Sequence, residues 1–290
     1  MSLAFSVLVG ISSIAGAAHG ADMATKAAPY AGCTQAVDGV NGKLSAYGGS
    51  FATDSIYAGT GSLAVPLGCG FGAQIDTTAA SFDGRALGAV EGHAFWRDPS
   101  QGLLGIYGSY TYWNQAGGVN ANHVGPEAEF YAGRWTFQGV AGVEFGNDRS
   151  TIVNGLTQTY DVKTRFFDQL NANYYLQDNF SVYAGHRYLG GEHALALGSE
   201  WGVPMQHGIM AALFAEGRIG QDNFRGAWGG MRFYFGQQDK TLIRRHREDD
   251  PIDWGAGEFG GTSNTGNSTS PAQPSCTPPD FIFMGVCSPP

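Results

Sequence analysis

Charge is scarce in this sequence: Asp, Glu, Lys and Arg together make up 14% of its 290 residues and sum to a net −9. With no basic stripe to neutralise phosphates, nucleic acid is excluded as a partner. The one basic cluster, Arg244, Arg245 and Arg247, is followed at once by Glu248, Asp249 and Asp250. After the first 20 residues no run of ~18 apolar residues occurs, which excludes a helical membrane span. Cysteine is held to four residues with no C-x-x-C spacing, so no metal or redox motif is expected. Also missing are a G-x-S-x-G elbow, a His-x-x-x-His pair and any phosphate-loop or dinucleotide fingerprint. These absences leave no cofactor to expect and argue against an enzyme.

Glycine is abundant, at 45 residues, more than double the usual ~7% and without a collagen period. Aromatics are plentiful beside it, a pairing suited to curved, closely spaced strands. Between Leu44 and Phe235 about twelve short segments alternate apolar and polar residues with period two. Alternation lets a closed sheet show apolar side chains to lipid and polar ones to a lumen while leaving no backbone edge unpaired. The fold class expected is therefore all-β: a single closed antiparallel transmembrane barrel of about twelve strands. A mean hydropathy of −0.16 does not oppose this, because barrels hide their apolar band in alternate positions.

The N-terminus reads as an export signal, apolar or small from Leu3 to Ala18, with Ala18-His19-Gly20 preceding a mature start at Ala21. No Lys or Arg precedes the apolar stretch, a departure from the usual pattern. The organisation expected is a signal peptide over 1–20, a periplasmic lead-in over 21–42, the barrel over 43–235 and a periplasmic low-complexity tail over 236–290. Export of a barrel implies the bacterial outer membrane and contact with its lipid.

Strands are expected near Leu44–Phe51, Gly59–Pro66, Phe71–Ser81, Leu87–Trp96, Leu103–Trp113, Val124–Ala132, Trp135–Phe145, Lys163–Tyr175, Phe180–Tyr188, Ala194–Gly202, Gly208–Glu216 and Arg225–Phe235. With the N-terminus in the periplasm, connections after even strands are periplasmic and short, and those after odd strands external. Trp135, Phe137, Val143 and Phe145 share one parity, against Thr136, Gln138 and Glu144 on the other. Trp96, Trp113, Trp135, Tyr174, Tyr188 and Trp201, near strand ends, suit interfacial girdles. Parity turns Glu91, Glu127, Glu129, Glu144, Arg165, Arg187, Glu200, Glu216 and Arg232 into the lumen, with His93, Gln169 and Asn171. Mixed charges there can line a water channel or pair into a plug.

Of the four cysteines, an exported chain makes disulfides. Cys33 precedes the first strand and Cys69 lies in the turn after the second, so topology favours Cys33 with Cys69 at the periplasmic rim and Cys276 with Cys287 in the tail. In the tail, Lys240 to Asp250 has the spacing of a short helix stopped by Pro251. Gly255 to Pro274 is rich in Gly, Ser, Thr, Asn and Pro, and Phe281-Ile282-Phe283-Met284 sits between the last two cysteines. A solvated periplasmic tail is the plain reading; contact with the cell wall, the lumen or a partner is the other.

The segments Ala21 to Ala27 (Ala-Asp-Met-Ala-Thr-Lys-Ala), Gly185 to Gly198 (Gly-His-Arg-Tyr-Leu-Gly-Gly-Glu-His-Ala-Leu-Ala-Leu-Gly) and Trp228 to Gly236 (Trp-Gly-Gly-Met-Arg-Phe-Tyr-Phe-Gly) resemble those of porin-like outer-membrane β-barrel proteins of alphaproteobacteria. The resemblance covers Ala21 to Asp250 and implies a location and a fold, not a substrate. The 55 residues after Phe235 depart from a barrel that ends on its terminal aromatic. Three functions are then open: a porin-like channel for small solutes, a non-conducting structural or adhesion barrel, and a rim lipid hydrolase. The last is weakened because His186 and Ser181 lie five apart on one strand, hence on opposite faces.

Overall fold

The computed structural model describes residues 33–52, 54–153, 156–221, 224–255, 268–271, 281–283 and 286–288. The expected signal peptide and its cleavage site lie outside them. Seven strands lead the barrel: β1 (Asn41–Phe51), β2 (Asp54–Gly68), β3 (Phe71–Phe82), β4 (Arg85–Asp98), β5 (Gly102–Trp113), β6 (Val119–Ala132) and β7 (Trp135–Gly146). A hairpin, β8 (Asp148–Val153) and β9 (Leu156–Asp161), follows. Five more strands complete the wall: β10 (Arg165–Gln177), β11 (Phe180–Leu189), β12 (Glu192–Pro204), β13 (Ile209–Gly220) and β14 (Gly226–Phe235). Each wall strand pairs antiparallel with its neighbours, β7 with β10, and β1 closes on β14, giving a closed barrel of twelve strands. After it come helix α1 (Leu242–Glu248), β15 (Ser268–Pro271), which pairs with β9, and the small hairpin of β16 (Phe281–Phe283) and β17 (Val286–Ser288).

All twelve expected strands are present, several longer than the alternation indicates. Asp54–Ala58 and Val119–His123 extend β2 and β6, and the expected loop Gly146–Val162 contains β8 and β9. Residues beyond the hydrocarbon layer are not forced to alternate, so pattern reading stops short of the true ends. The outward face carries Leu44, Ile75, Leu104, Ile106, Phe137, Leu195, Trp201 and Phe233, all exposed. Trp96, Trp135 and Trp201 are exposed near strand ends, as a girdle requires, but Trp113 is not: it sits on the inward parity of β5 and is buried.

Tight turns join the strands at the end that carries both barrel termini, and Gly133 (φ 58°) in the β6–β7 turn adopts a conformation that L side chains resist. Inside the wall, Pro126 of β6 cannot donate to the β7 ladder. The strands close up there: a Cβ on Gly125 would lie 1.9 Å from the Ala141 carbonyl oxygen, and one on Gly142 would lie 2.0 Å from that of Val124. Only glycine fits that approach.

The Cys33–Cys69 disulfide is formed, with its Cα atoms 5.5 Å apart. It ties the lead-in to the β2–β3 turn, where Gln35 bridges to Cys69 and Ala36 and Val37 pack against Ala64, Phe95 and Leu103. Cys276, and the side chain of Cys287, fall outside the described residues. Peptide mapping without reductant should recover a Cys33–Cys69 crosslinked pair.

Candidate functional site

The inward residues of the barrel pair with one another along the wall, within a strand or between strands no more than two apart. His93 stands between Asp76 (3.1 Å) and Glu127 (2.9 Å), and the Tyr107 hydroxyl donates to Glu91 (3.0 Å). His123 contacts Glu144 (3.0 Å), which also meets Arg165 (3.3 Å) and accepts from the Gly190 N–H. Glu129 accepts from Tyr131 (2.6 Å) and Gln138 (3.2 Å). Glu216 takes Arg218 at 2.7 Å and Arg187 at 3.9 Å, while Glu200 takes Arg232 at 2.7 Å and the Tyr234 hydroxyl at 2.6 Å. All nine charged residues assigned to the lumen thus face inward, each within reach of a partner. Such pairing is what makes a buried charge tolerable.

Asp76, Glu91 and His93 come close enough to offer three metal-ligand atoms. Both ring nitrogens of His93, however, already face carboxylates, and the cluster carries no metal argument of its own.

Both ends of the lumen are filled. At the end away from the termini, Phe51, Phe82, Trp113, Tyr160, Phe224 and Trp228 pack edge to face or tilted, with centroids 5.2–6.4 Å apart. At the terminus end the lead-in covers one side of the mouth and α1 the other. Leu242 of α1 is buried against Tyr175, Met210, Ala212 and Tyr234. Arg245 is wholly buried, donating to the Gly208 carbonyl (2.9 Å) and pairing with Asp249 (3.0 Å). Arg247 donates to the Gly133 and Trp135 carbonyls in the β6–β7 turn, and His246 lies between the Tyr175 and Tyr234 hydroxyls. Lys240 joins both covers, contacting Asp38 (2.7 Å) of the lead-in together with Glu248 (3.2 Å) and Asp249.

Beyond α1 the chain turns into the barrel. Asp250 pairs with Lys43 of β1 at 2.5 Å, both side chains being buried. The Pro251 carbonyl accepts from Lys43 (3.5 Å) and Gln74 (3.4 Å). Trp254, 3% exposed, packs in the aromatic cluster with Tyr47, Tyr107 and Trp228. Gly255 presses on Glu91 so closely that a Cβ would lie 1.7 Å from its Oε1. Beside this segment lies a cavity of about 100 Å³, bounded by Gln169, Asn171, Tyr183, Glu216, Arg232 and Trp254. That volume has room for a few waters.

The solvated periplasmic tail expected from the sequence therefore does not describe residues 240–255. Low-complexity composition begins only at Gly255; the stretch before it forms the short helix expected before Pro251 and carries the charges and the tryptophan that the lumen complements. Lys43, Asp250 and Trp254 were missed as lumen residues; the available signal was the run Arg244 to Asp250 ending in Pro251 and an isolated Trp254.

At the mouth, Glu248 is held below the usual carboxylate range: burial raises it, but Arg244 and Lys240 more than offset that. A depressed carboxyl stabilises docking above its ordinary value of 4.5 and loses that contribution as pH falls through the docked value. Asp249, pushed up to about 6 by burial against the pull of Lys240, acts with the opposite sign. Comparing limited proteolysis of the wild type with that of Glu248→Gln isolates the first effect. The substitution should weaken α1 docking by about 1 kcal/mol or less at neutral pH, since Glu248 is partly solvated, and the two proteins should converge as the pH falls through the docked value.

On the outer face, Asp168 and His186 lie 2.7 Å apart, and the second nitrogen of His186 faces His193 at 3.0 Å. Ser181 points the other way and is buried. The Asp–His pair thus ends on an imidazole where a hydrolase needs a hydroxyl.

No protein-family model matches the sequence, and no curated protein matches it either. Solved structures do. An outer membrane channel from Pseudomonas putida superposes with a TM-score of 0.51 at 9% identity, over 72% of this chain and 98% of that one. The fold is that of an outer-membrane β-barrel. A membrane protein from a study of in-meso crystallization gives 0.50 at 12% identity, over 78% and 93%. The translocator domain of the autotransporter NalP from Neisseria meningitidis gives 0.45 at 12%, over 67% and 86%. At these identities the first two likenesses show the outer-membrane barrel fold and nothing finer, and the alphaproteobacterial family of the sequence resemblance has no matching model behind it.

Proposed function

We propose that this protein is an outer-membrane barrel closed by its own C-terminal segment, a non-conducting surface-interaction barrel in its folded state. The observation that carries this reading is the placement of residues 250–255 inside the lumen, anchored by the buried Lys43–Asp250 pair and by Trp254. A barrel that only had to span the membrane could fill its lumen from the wall alone. Here the wall leaves an inward lysine for an acid supplied by the tail.

The second reading, a channel for small solutes, is favoured by the polar character of the wall itself. Every hold on the tail is non-covalent among the described residues, so displacing it would uncover glutamates and arginines suited to a wet pore. As for chemistry, the Asp168–His186–His193 chain offers no nucleophile, and we assign the barrel no catalytic role.

Planar-bilayer recording of the full-length protein tests the proposal. Inserted, heat-modifiable barrel should show no steady conductance at any salt concentration. Steady conductance by the intact chain would reject closure by the tail.

A further inference from the structure

We infer that His186 and His193, with Asp168 behind them, form a binding site for a divalent transition-metal ion of the zinc, nickel or copper class on the outer face of the wall.

The three residues stand out by parity. Among the described residues of the twelve wall strands, outward positions carry no other Asp, Glu, His, Lys or Arg apart from Asp98, the last residue of β4. Ionisable groups are disfavoured on a face turned to lipid, most at mid-membrane and least at its boundaries. A wall that keeps three of them, all in mutual contact, holds a functional cluster rather than a scatter of surface charge.

Strand register gathers them. Asp168 of β10 and His193 of β12 both stand opposite Tyr188 of β11, one on either side, and His186 lies two residues before Tyr188 on the same face. Each flanking side chain therefore reaches His186 along a diagonal, a distance that long side chains cover. The level is the outer lipid boundary. His186 is three residues from the external end of β11 at Leu189, roughly 10 Å along the strand, and Tyr188 and Phe166 stack just beyond it at 6.3 Å between centroids.

The geometry is that of a metal ligand with its orienting carboxylate. Asp168 Oδ1 accepts from His186 Nδ1 at 2.7 Å, which keeps the proton on that nitrogen and leaves a lone pair on Nε2. That lone pair faces His193 Nδ1 at 3.0 Å, and the His193 ring is held by stacking on Tyr188, 4.4 Å between centroids. With no ion, one proton on His193 Nδ1 bridges the two nitrogens. Moved to Nε2 of the same ring, it leaves two lone pairs converging on one point. At ~2.0–2.1 Å from a tetrahedral zinc ion two ligand nitrogens lie roughly 3.3 Å apart, so the rings need to open by only about 0.3 Å. A carboxylate on the far nitrogen fixes the ring and raises its basicity. Imidazole donors favour zinc, nickel and copper over calcium and magnesium, which take oxygen. The His186 side chain is 42% exposed, so the remaining coordination positions stay open to water. His93 differs on this point, because both its nitrogens face carboxylates and neither is left for an ion.

Calorimetric titration of zinc chloride into the untagged full-length protein, folded in detergent, tests the site. One zinc per barrel is expected, undisplaced by an excess of calcium or magnesium. His186→Ala and His193→Ala should each weaken binding by about tenfold or more, and Asp168→Asn by ~10–100-fold through loss of the orienting carboxylate. His207→Ala, in the turn between β12 and β13 at the other end of the barrel, should leave it unchanged. Heat-modifiable migration of each variant separates loss of the site from loss of the barrel. A wild type that takes up no zinc, or uptake that both histidine variants retain, overturns the inference. A second measurement needs no variant: zinc-edge X-ray absorption of the one-to-one complex should show two imidazole ligands, and coordination by oxygen alone overturns it equally.

Discussion

Deleting residues 238–290 should turn a silent barrel into a conducting one. The deletion removes α1 from the mouth, takes Asp250 from Lys43 and withdraws Trp254 from the aromatic cluster, opening the lumen at its mouth and middle and leaving the far end held only by side chains of the wall strands and their loops, Trp113 and Trp228 among them. The wall itself should survive, because every wall strand, including the β1–β14 closure, is paired without the tail. The uncovered lumen would hold carboxylates at Asp76, Glu91, Glu127, Glu129, Glu144, Glu200 and Glu216 against cations at Lys43, Arg97, Arg165, Arg187, Arg218 and Arg232. Its field is negative by a single charge, so conductance should favour cations only slightly and lose that bias in ~1 M salt, where the screening length falls to ~3 Å. Glu127→Gln with Glu129→Gln in the truncated chain should weaken the selectivity without abolishing the gel shift on heating. A truncated barrel that inserts, shifts on heating and stays silent would mean that the wall closes the lumen by itself.

Lys43→Met should have the largest effect on stability of any single lumen substitution considered. Lys43 and Asp250 are both buried, and removing one member of such a pair leaves the other charge without compensation, at about 3–5 kcal/mol. Asp250 can escape that cost only by withdrawing from the lumen, which pulls Trp254 with it. The expected result is rapid protease cleavage near Trp254 while the strands stay protected, since the wall does not depend on this pair. Adding Asp250→Asn to Lys43→Met should restore much of the protection, because an amide is far cheaper to bury than an unpaired carboxylate. Equal protease resistance in the wild type and Lys43→Met would show that the tail is held by the mouth contacts of Arg245 and Lys240 alone.

Both results bear on how such a lumen is used. A conducting pore needs charges that solutes can reach, but here Glu216 is taken by Arg218 and Tyr183, and Glu200 by Arg232 and Tyr234. Pairing of this kind serves a filled interior. The tail completes it by bringing an acid to the one inward lysine of β1 and an aromatic to the cluster above.

The sequence by itself determined the wall. Period-two alternation located all twelve strands, because on a sheet each residue's face follows from parity alone, and it therefore set Glu91, Glu144 and Arg232 inward and Phe137, Leu195 and Phe233 outward. The Cys33–Cys69 bridge followed from the same parity, since both cysteines fall at one rim. Only the tertiary structure decided what the lumen contains. Parity gives the direction of a side chain but not which inward neighbour along the wall it meets, so the bonds from His93 to Asp76 and Glu127 were not legible. Trp113 misled for a related reason: an aromatic near a strand end suits a lipid girdle and an internal cluster equally until its neighbours are known. The tail was least legible of all: spacing gave the short helix before Pro251, but its place is set by Lys43, Tyr175, Met210 and Glu91, contacts 32 to 207 residues away in sequence that exist only once the barrel has closed.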